Sequence, residues 1–276
     1  MNFKTLKEKQ EYYRHLTDYR LIPNSYVLVM LDGRSFSKKV NNRFKKPFDE
    51  RFVNAMNETA KYLCDNIEGC KFAYVQSDEI SLVITDFETP QTDAFFSYRL
   101  SKILSICASA ATAKFNQLMF LDRLGEVDCS VPSEILTECM CKIENAPLYE
   151  FDCKAWNVPA YNDVYGWFLY RQLDCIRNSK SQTAQTYLPH KELMNLHTDE
   201  QIAKLKETNG VDWETFPNGL KYGRFVYRVE ITGTAPDGTE YKRMKFTVRD
   251  GFPLNTPEGK ERFKTEINIP EININL

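Results

Sequence analysis

The chain has 276 residues, enough for one large domain or two modest ones around an ample apolar core, and this excludes a disulfide-stapled miniprotein. Hydrophobic residues make up 42%, aromatics 13% and charged residues 27%, a balance that folds and does not describe a disordered tail. Lys plus Arg number 36 against 38 for Asp plus Glu; the formal net charge of -2 argues against a protein that coats nucleic acid indiscriminately, while leaving room for a local basic patch.

The N-terminal segment carries Lys4, Lys7, Glu8, Lys9 and Glu11 where a signal peptide would be apolar. The longest strongly apolar run, Tyr26 to Leu31, falls far short of the ~20 residues that cross a bilayer, so a cytoplasmic location with no membrane partner is expected. Cysteines at positions 64, 70, 107, 129, 139, 141, 153 and 175 show no paired C-x-x-C framework and read as reduced thiols. Cys129, Cys139, Cys141 and Cys153 offer only a weak zinc spacing, and partly buried thiols are the preferred reading.

In chain order, Tyr26 to Leu31 between Pro23-Asn24 and Asp32-Gly33 predicts a strand covered on both faces, its end delivering a carboxylate. After Pro47, Phe52, Met56, Thr59, Ala60 and Leu63 recur at helical spacing, with Asp49 and Glu50 in the first turn and Gly69 past the end. Phe72 to Val75 and Ile80 to Thr85 predict a hairpin whose tip is Gln76-Ser77-Asp78-Glu79. From about Thr92 to Asn116, Leu100, Ile103, Leu104, Cys107, Ala108, Ala111 and Phe115 trace one apolar helical face, with Arg99 and Lys102 on another. Residues 121–145 follow no single period.

In the second half, Tyr149 to Cys153 and Trp156 to Pro159 precede a long helix expected to start at an Asn162 or Asp163 N-cap. Its polar stripe contains Arg171, Asp174 or Cys175, Asn178, Gln182 and Gln185, opposite Val164, Phe168 and Leu173. Thr198 with Gln201 predicts a capping box for a helix ending at Asn209-Gly210, and two β-rich runs around Pro236-Asp237-Gly238 predict a hairpin. This order of elements defines an α+β class with antiparallel pairing.

Two acidic corners on adjacent strands, Asp32 and the Asp78-Glu79 tip, are the arrangement that holds a pair of Mg2+ ions ~4 Å apart for phosphoryl chemistry. Each corner alone reads as an ordinary turn. Gly33 through Ser37 adds small residues whose backbone N–H groups can face a triphosphate, without forming a Walker motif. Arg34, Lys38, Lys39, Arg43, Lys45 and Lys46 follow without an acid among them, either a solvated basic loop or a phosphate-binding rim. His15, His190 and His197 show no ligand or acid–base pattern, and Trp156, Trp167 and Trp213 read as core.

The string Leu-Asp-Gly-Arg-x-Phe-Ser at 31–37, then Lys46-Pro47, Tyr74-Val75-Gln76-Ser77-Asp78-Glu79-x-Ser81, Phe151-Asp152 and Arg171-Gln172-x-Asp174, resembles the tRNA(His) guanylyltransferase superfamily of 3′-to-5′ polymerases. Order and spacing agree over roughly residues 1–230. The resemblance implies a polymerase- or cyclase-like palm with an antiparallel sheet and packed helices over residues 1–140. A C-terminal helical and β-hairpin region, 141–276, would pack on it, and the whole would assemble as a homotetramer.

Carried over residue by residue, the resemblance implies metal ligation by Asp32, the Gly33 carbonyl and Asp78, with Glu79 as the third catalytic carboxylate. Triphosphate binding falls on Gly33, Arg34, Ser35, Phe36, Lys46, Ser77, Arg99 and Lys102. RNA contacts fall on Lys38, Lys39, Arg171, Asp174, Arg177 and Asn178. Where the eukaryotic enzymes carry His-Ile-Asn-Asn, this chain has Ile176-Arg177-Asn178-Ser179. That form, with Ala184-Gln185 downstream, resembles the guanylyltransferase-like branch, which implies template-directed addition of nucleotides to 5′-truncated tRNA.

The implied chemistry is two-step: a tRNA 5′-monophosphate attacks ATP, then the 3′-OH of GTP or another NTP attacks the adenylylated end and expels AMP, with two Mg2+ ions as cofactors. Two other readings stand beside it: a palm-type nucleotide cyclase or nucleotidyltransferase without RNA, and a non-catalytic tRNA-binding module.

Overall fold

The computed structural model describes residues 3–40, 43–89, 91–128, 130, 132–234 and 237–272. At the N-terminus, α1 (Leu6–His15) is capped by Thr5, whose hydroxyl accepts from the Glu8 N–H, and it buries no side chain. β1 (Tyr26–Gly33) follows, then the short α2 (Phe36–Val40). α3 (Glu50–Asn66) has the predicted apolar face and an Asp49 cap that accepts from the Arg51 N–H at 2.9 Å. β2 (Cys70–Gln76) and β3 (Glu79–Ile84) form the predicted hairpin.

α4 (Leu100–Gly125) begins later than its apolar period predicts and runs further. Residues 95–98 form a 3-10 turn in which Phe96, Ser97 and Tyr98 have φ of 51, 49 and 54°. Pairing with the preceding chain holds this segment out of the helix: Leu21 N–H donates to the Tyr98 carbonyl, Leu100 N–H donates to the Tyr19 carbonyl, and Arg20 bridges Arg99. The patternless stretch 121–145 holds the end of α4 and α5 (Ser133–Glu144).

The two β-prone segments after it join into one strand, β4 (Phe151–Val158). α6 (Tyr161–Tyr187) starts one to two residues before the predicted caps: Ala160 is the N-cap, and Asp163 acts from inside the first turn by accepting the Ala160 N–H at 3.1 Å. α7 (His190–Leu193) and α8 (Thr198–Asn209) come next; the capping residue is His197, whose N–H is accepted by Glu200, and Gly210 closes α8 at φ 69°. After α9 (Asn218–Lys221), the tail hairpin is β5 (Arg224–Thr234) and β6 (Glu240–Asp250); Pro236 lies outside the described residues. α10 (Pro257–Ile267), absent from the sequence reading, ends the fold.

Among the described residues, six strands make one antiparallel sheet in the order β4-β1-β3-β2-β5-β6, drawing strands from both sides of residue 140. Side-chain alternation splits β1 between two cores. Val27, Val29 and Leu31 pack with α3 and α4; Tyr26 and Leu28 pack with α6 and α10 through Val164, Phe168 and Phe263. Along α6, Leu173 departs from its expected apolar role and is 47% exposed, while Cys175 and Gln172 are buried.

Gln172 shows why a polar residue occupies the apolar face. Its amide N–H groups donate to the Tyr222 and Phe252 carbonyls, both at 3.0 Å, and its carbonyl accepts the Leu254 N–H at 2.6 Å. It thereby pins the segments flanking β5 and β6 to α6. Gln172→Leu keeps the volume but orphans the Phe252 carbonyl and the Leu254 N–H, the Tyr222 carbonyl still accepting from the Tyr74 hydroxyl, and is expected to cost roughly 2 kcal/mol or more in urea unfolding; a loss below about 1 kcal/mol would contradict this role.

Candidate active site

The end of β1 and the β2–β3 tip converge because the chain is built to let them touch. Asp32 lies opposite Glu79 of β3 on one side and Asp152 of β4 on the other. Gly33 donates its N–H to the Asp78 carbonyl at 3.1 Å. A Cβ on Gly33 would stand 2.7 Å from the Phe36 ring and 2.9 Å from the Asp78 Cβ, so only glycine admits the hairpin this close. Ser35 and Ser77 turn the chain at φ 57 and 42°, left-handed conformations costing of order 1 kcal/mol or more each in a non-glycine residue.

Phe36 is buried in an aromatic cluster, its ring centroid 5.0 Å from Phe151, 5.1 Å from Tyr149 and 5.3 Å from Phe115. This anchors the loop 33–36 from below. α4 fixes the entry to β4: Asn116 exchanges two hydrogen bonds with the Tyr149 backbone, and Thr112 accepts the Phe151 N–H.

Burial pushes the Asp32 carboxyl above its usual range, reinforced by Asp152, while Lys154 and Arg171 pull the other way. Burial likewise raises Asp78, with Asp32 and Glu79 adding to it and hydrogen bonds from Ser77 opposing. Among the described residues no group of three or more His, Cys, Asp or Glu is arranged to hold a metal ion. Two converging carboxylates, with Asp32 adding to the rise at Asp78, are nonetheless the donor chemistry of Mg2+, which typically takes one or two carboxylates and completes its shell with water and phosphate oxygens.

Glu79 plays a different part from the one expected. It is 7% exposed at the side chain, and its two oxygens accept from Nε and Nη2 along one edge of the Arg171 guanidinium, the Nε contact being 2.8 Å. Gln76 and Ser81 complete its bonding at 3.3 and 3.4 Å. Arg171, expected at RNA, is 11% exposed at the side chain and also holds Asp174 at 3.0 Å. Asp174 in turn accepts from Arg177 and from Asn178 at 3.3 Å, and both of these donors are exposed to solvent. A file of charges thus runs from the hairpin tip to the exposed side of α6.

The basic loop is partly neutralised. Arg34 and Lys39 lie 3.5 and 3.4 Å from Glu150, and Arg43 pairs with Asp122 and Glu126 at the end of α4. Lys38, Lys45 and Lys46 are exposed and make no ion pair among the described residues. Gln182, from the polar stripe of α6, donates to the Pro47 carbonyl at 2.8 Å and so ties that helix to the Lys46 segment.

Arg99 and Lys102 are not brought to this corner. They stand at the start of α4, with Arg99 bound to Asp18 at 2.8 Å, whereas the helix meets the Gly33 neighbourhood at Thr112, about 20 Å further along its axis at about 1.5 Å per residue. Asp152, which faces Asp32, is a site residue the sequence reading did not assign; its only signal was the Phe151-Asp152 pair at the head of a β-prone run.

Cys64, Cys70, Cys107 and Cys175 are buried thiols, Cys139 and Cys153 are half-buried and Cys141 is exposed; Cys129 lies outside the described residues. Trp213 is buried and donates to Ser179 at 2.9 Å, and Trp156 packs against Trp167. No helix among the described residues is long and apolar enough to cross a membrane.

A single antiparallel sheet sandwiched by helices, with a carboxylate corner at one end, defines a mixed α+β protein. A family model described as tRNAHis guanylyltransferase matches residues 7–159, and the chain belongs to that family, whose members are nucleotidyltransferases.

Among similar proteins, an uncharacterised protein of Acanthamoeba polyphaga mimivirus is 29% identical over 224 residues, covering 76% of this chain and 72% of that one. The tRNA(His) guanylyltransferase of Neurospora crassa is 34% identical over 96 residues, 34% of this chain and 31% of that enzyme. A bacterial tRNA(His) guanylyltransferase-like protein, solved in complex with ATP, superposes with a TM-score of 0.75 at 30% identity over 95% of this chain and 97% of its own. A complex with GTP described in the same words gives 0.71 at 27% identity over 96% and 99%.

Proposed function

We propose that this chain is an Mg2+-dependent 3′-to-5′ nucleotidyltransferase that adds nucleotides, directed by the opposite strand, to the 5′ end of 5′-truncated tRNA after ATP has activated that end. The observation that carries the reading is the convergence of Asp32 and Asp78 across the Gly33 contact, at the mouth of a loop with exposed lysines. The ATP and GTP bound in the similar bacterial structures support nucleotides as the ligands.

In the first step an oxygen of the RNA 5′-monophosphate attacks the α-phosphorus of ATP and pyrophosphate leaves. In the second, the 3′-OH of the incoming NTP attacks the activated 5′-phosphorus and AMP leaves. Asp32 and Asp78, with the Gly33 carbonyl, would hold Mg2+, which when bound neutralises developing charge on the phosphoryl oxygens. The backbone N–H groups of residues 35 and 36 and of Ser77 orient the triphosphate, the Arg34 N–H being held by the Glu150 carbonyl at 2.8 Å, and Lys46 supplies a cation on the rim. Positioning and electrostatics account for most of the acceleration in such transfers, so no protein nucleophile is required.

Glu79 serves this reading as a positioning residue: clamped by Arg171, it fixes the hairpin whose tip carries Asp78. Lys38, Lys39, Arg177 and Asn178 are the proposed RNA contacts on the rim. The homotetramer implied by the family is proposed too, and Arg99 and Lys102 would then serve a nucleotide only across a subunit boundary.

The test is extension of a 5′-labelled, 5′-monophosphorylated tRNA lacking its first nucleotide, with Mg2+, ATP and each NTP in turn. Growth by the nucleotide complementary to the acceptor strand is expected. Conversion of NTP without any RNA would instead support a cyclase-like activity.

A further inference from the structure

Three aromatic side chains form a row beside the carboxylate corner, on the side of the sheet that α6 covers. Strand alternation places Asp152, Lys154 and Trp156 of β4 on the same face as Asp32 and Leu28 of β1, because Leu28 and Trp156 both pack into the α6–α10 core. Along α6, Arg171 reaches Glu79 at the corner, and Trp167, one turn earlier, donates its indole N–H to Ser81 at 3.2 Å. Tyr170 lies between these two along the helix, at the corner end.

The row is braced behind and open in front. The Trp167 ring centroid lies 4.7 Å from Trp156 and 5.8 Å from Tyr170, and the Arg171 guanidinium stands 5.1 Å from the Tyr170 centroid. Trp156 and Trp167 are half-buried, whereas Tyr170 is 58% exposed. A ring already held by better-buried neighbours loses little freedom when a ligand stacks on it.

Gly166 strengthens this reading. It is exposed inside α6, one turn before Tyr170, where glycine is the poorest helix former after proline. Packing does not require it, since a Cβ there would meet nothing within 4 Å. A helical side chain leans over the turn N-terminal to its own Cα, so the Tyr170 ring lies towards Gly166, and the missing side chain leaves the flank of the ring open. Lys154, exposed and without an ion pair among the described residues, stands on β4 between Trp156 and Asp152, and its charge acts on Asp32.

We infer that Tyr170, backed by Trp167 and Trp156, is the stacking platform for the unpaired base that follows the templating nucleotide on the RNA strand opposite the growing 5′ end; the assignment rests on the function proposed above. An RNA that lacks its 5′ nucleotide leaves the opposite strand unpaired where addition takes place, so single-stranded RNA has to be held next to the carboxylates. The templating nucleotide faces the incoming one, and the base after it is free to stack. An exposed aromatic face with a cation alongside is what single strands bind, because every base offers a π face and the phosphates supply the anion. Stacking is indifferent to base identity and leaves the choice of nucleotide to pairing.

The test measures Kd by fluorescence anisotropy for two 5′-truncated, 5′-monophosphorylated tRNAs, one with its complete unpaired 3′ strand and one trimmed to end at the templating nucleotide. Wild type is expected to bind the complete RNA at least about fivefold more tightly than the trimmed one. Tyr170→Ala is expected to bind both as weakly as wild type binds the trimmed RNA, with an unchanged melting temperature, and Tyr170→Phe to keep the preference. Gly166→Leu, which covers the flank of the ring, should also lose the preference while melting no lower than wild type.

If wild type extends truncated tRNA but shows no preference for the complete 3′ strand, or if Tyr170→Ala or Gly166→Leu keeps that preference, the platform is overturned and the enzymatic reading stands. Equal weakening of both RNAs by Tyr170→Ala would show a merely structural role and overturn it as well. A changed oligomeric state in Tyr170→Ala with the preference intact would assign the face to a second copy and overturn it too. Wild type that neither binds nor extends either RNA would overturn both readings.

Discussion

Asp32→Asn and Asp78→Asn are each expected to melt at a higher temperature than wild type at pH 7 in the absence of divalent cations, while losing nucleotidyl transfer by at least about 100-fold. The reason is electrostatic. Burial, with Asp152 beside Asp32 and with Asp32 and Glu79 beside Asp78, raises both carboxyls above their ordinary pKa. A carboxyl whose folded-state pKa is raised binds its proton more tightly in the native than in the unfolded chain, so its penalty on stability is fully present above the folded pKa and is relieved as pH falls through it.

The amide carries no such penalty. The melting-temperature gap between each Asn variant and wild type should therefore be widest near neutrality and narrow as the pH is lowered into the raised carboxylate range. Added Mg2+ should stabilise wild type and do so less in either variant. Scanning calorimetry at several pH values checks both statements, and Asn variants less stable than wild type at pH 7 without metal would contradict them.

The second large effect concerns the Glu79–Arg171 pair. Burial works against the Arg171 charge, yet its bonds to Glu79 outweigh this and hold the guanidinium above its ordinary pKa. Removing one member leaves the other charged and uncompensated, which for pairs of this burial costs about 3–5 kcal/mol. Arg171→Ala is expected to lose that much in urea unfolding and to lower transfer activity by displacing the hairpin tip that bears Asp78. The double variant Arg171→Met, Glu79→Gln should recover most of the stability, because it removes the stranded charge. A single variant that loses less than about 1 kcal/mol would show that the pair does not brace the hairpin.

The parts of this site that were legible in the sequence are those whose signals are local. A β-branched run ending in Asp32-Gly33, and two short β-prone runs joined by four polar residues, define a strand and a hairpin without knowledge of the rest of the chain. The antiparallel α+β class follows from them, and the observed sheet has it.

The partnership of Glu79 with Arg171 was not legible, because the two are 92 positions apart and meet only when α6 crosses the sheet. A carboxylate next to Asp78 looks like a third catalytic carboxylate until its hydrogen bonds are counted. Gln172 misled in the opposite sense: as one polar residue on a helix it carries no sign of being buried, since its three partners come from the distant 222–254 segment. The start of α4 was misplaced because apolar period cannot register the pairing of residues 19–21 with 98–100.

Arg99 and Lys102 teach the same point at longer range. Helical spacing put them on one face, but only the packing of α4 shows which part of it meets the carboxylate corner. Within this chain it is the middle of the helix, at Thr112 and Asn116.

The central claim is that Asp32 and Asp78 carry nucleotide addition at an RNA 5′ end. It is tested most directly by running the truncated-tRNA extension on wild type, Asp32→Asn and Asp78→Asn side by side, with each protein shown to be folded. The account predicts templated growth at the 5′ end by wild type and its loss in both variants despite their undiminished melting temperatures. Equal extension by all three proteins would contradict it.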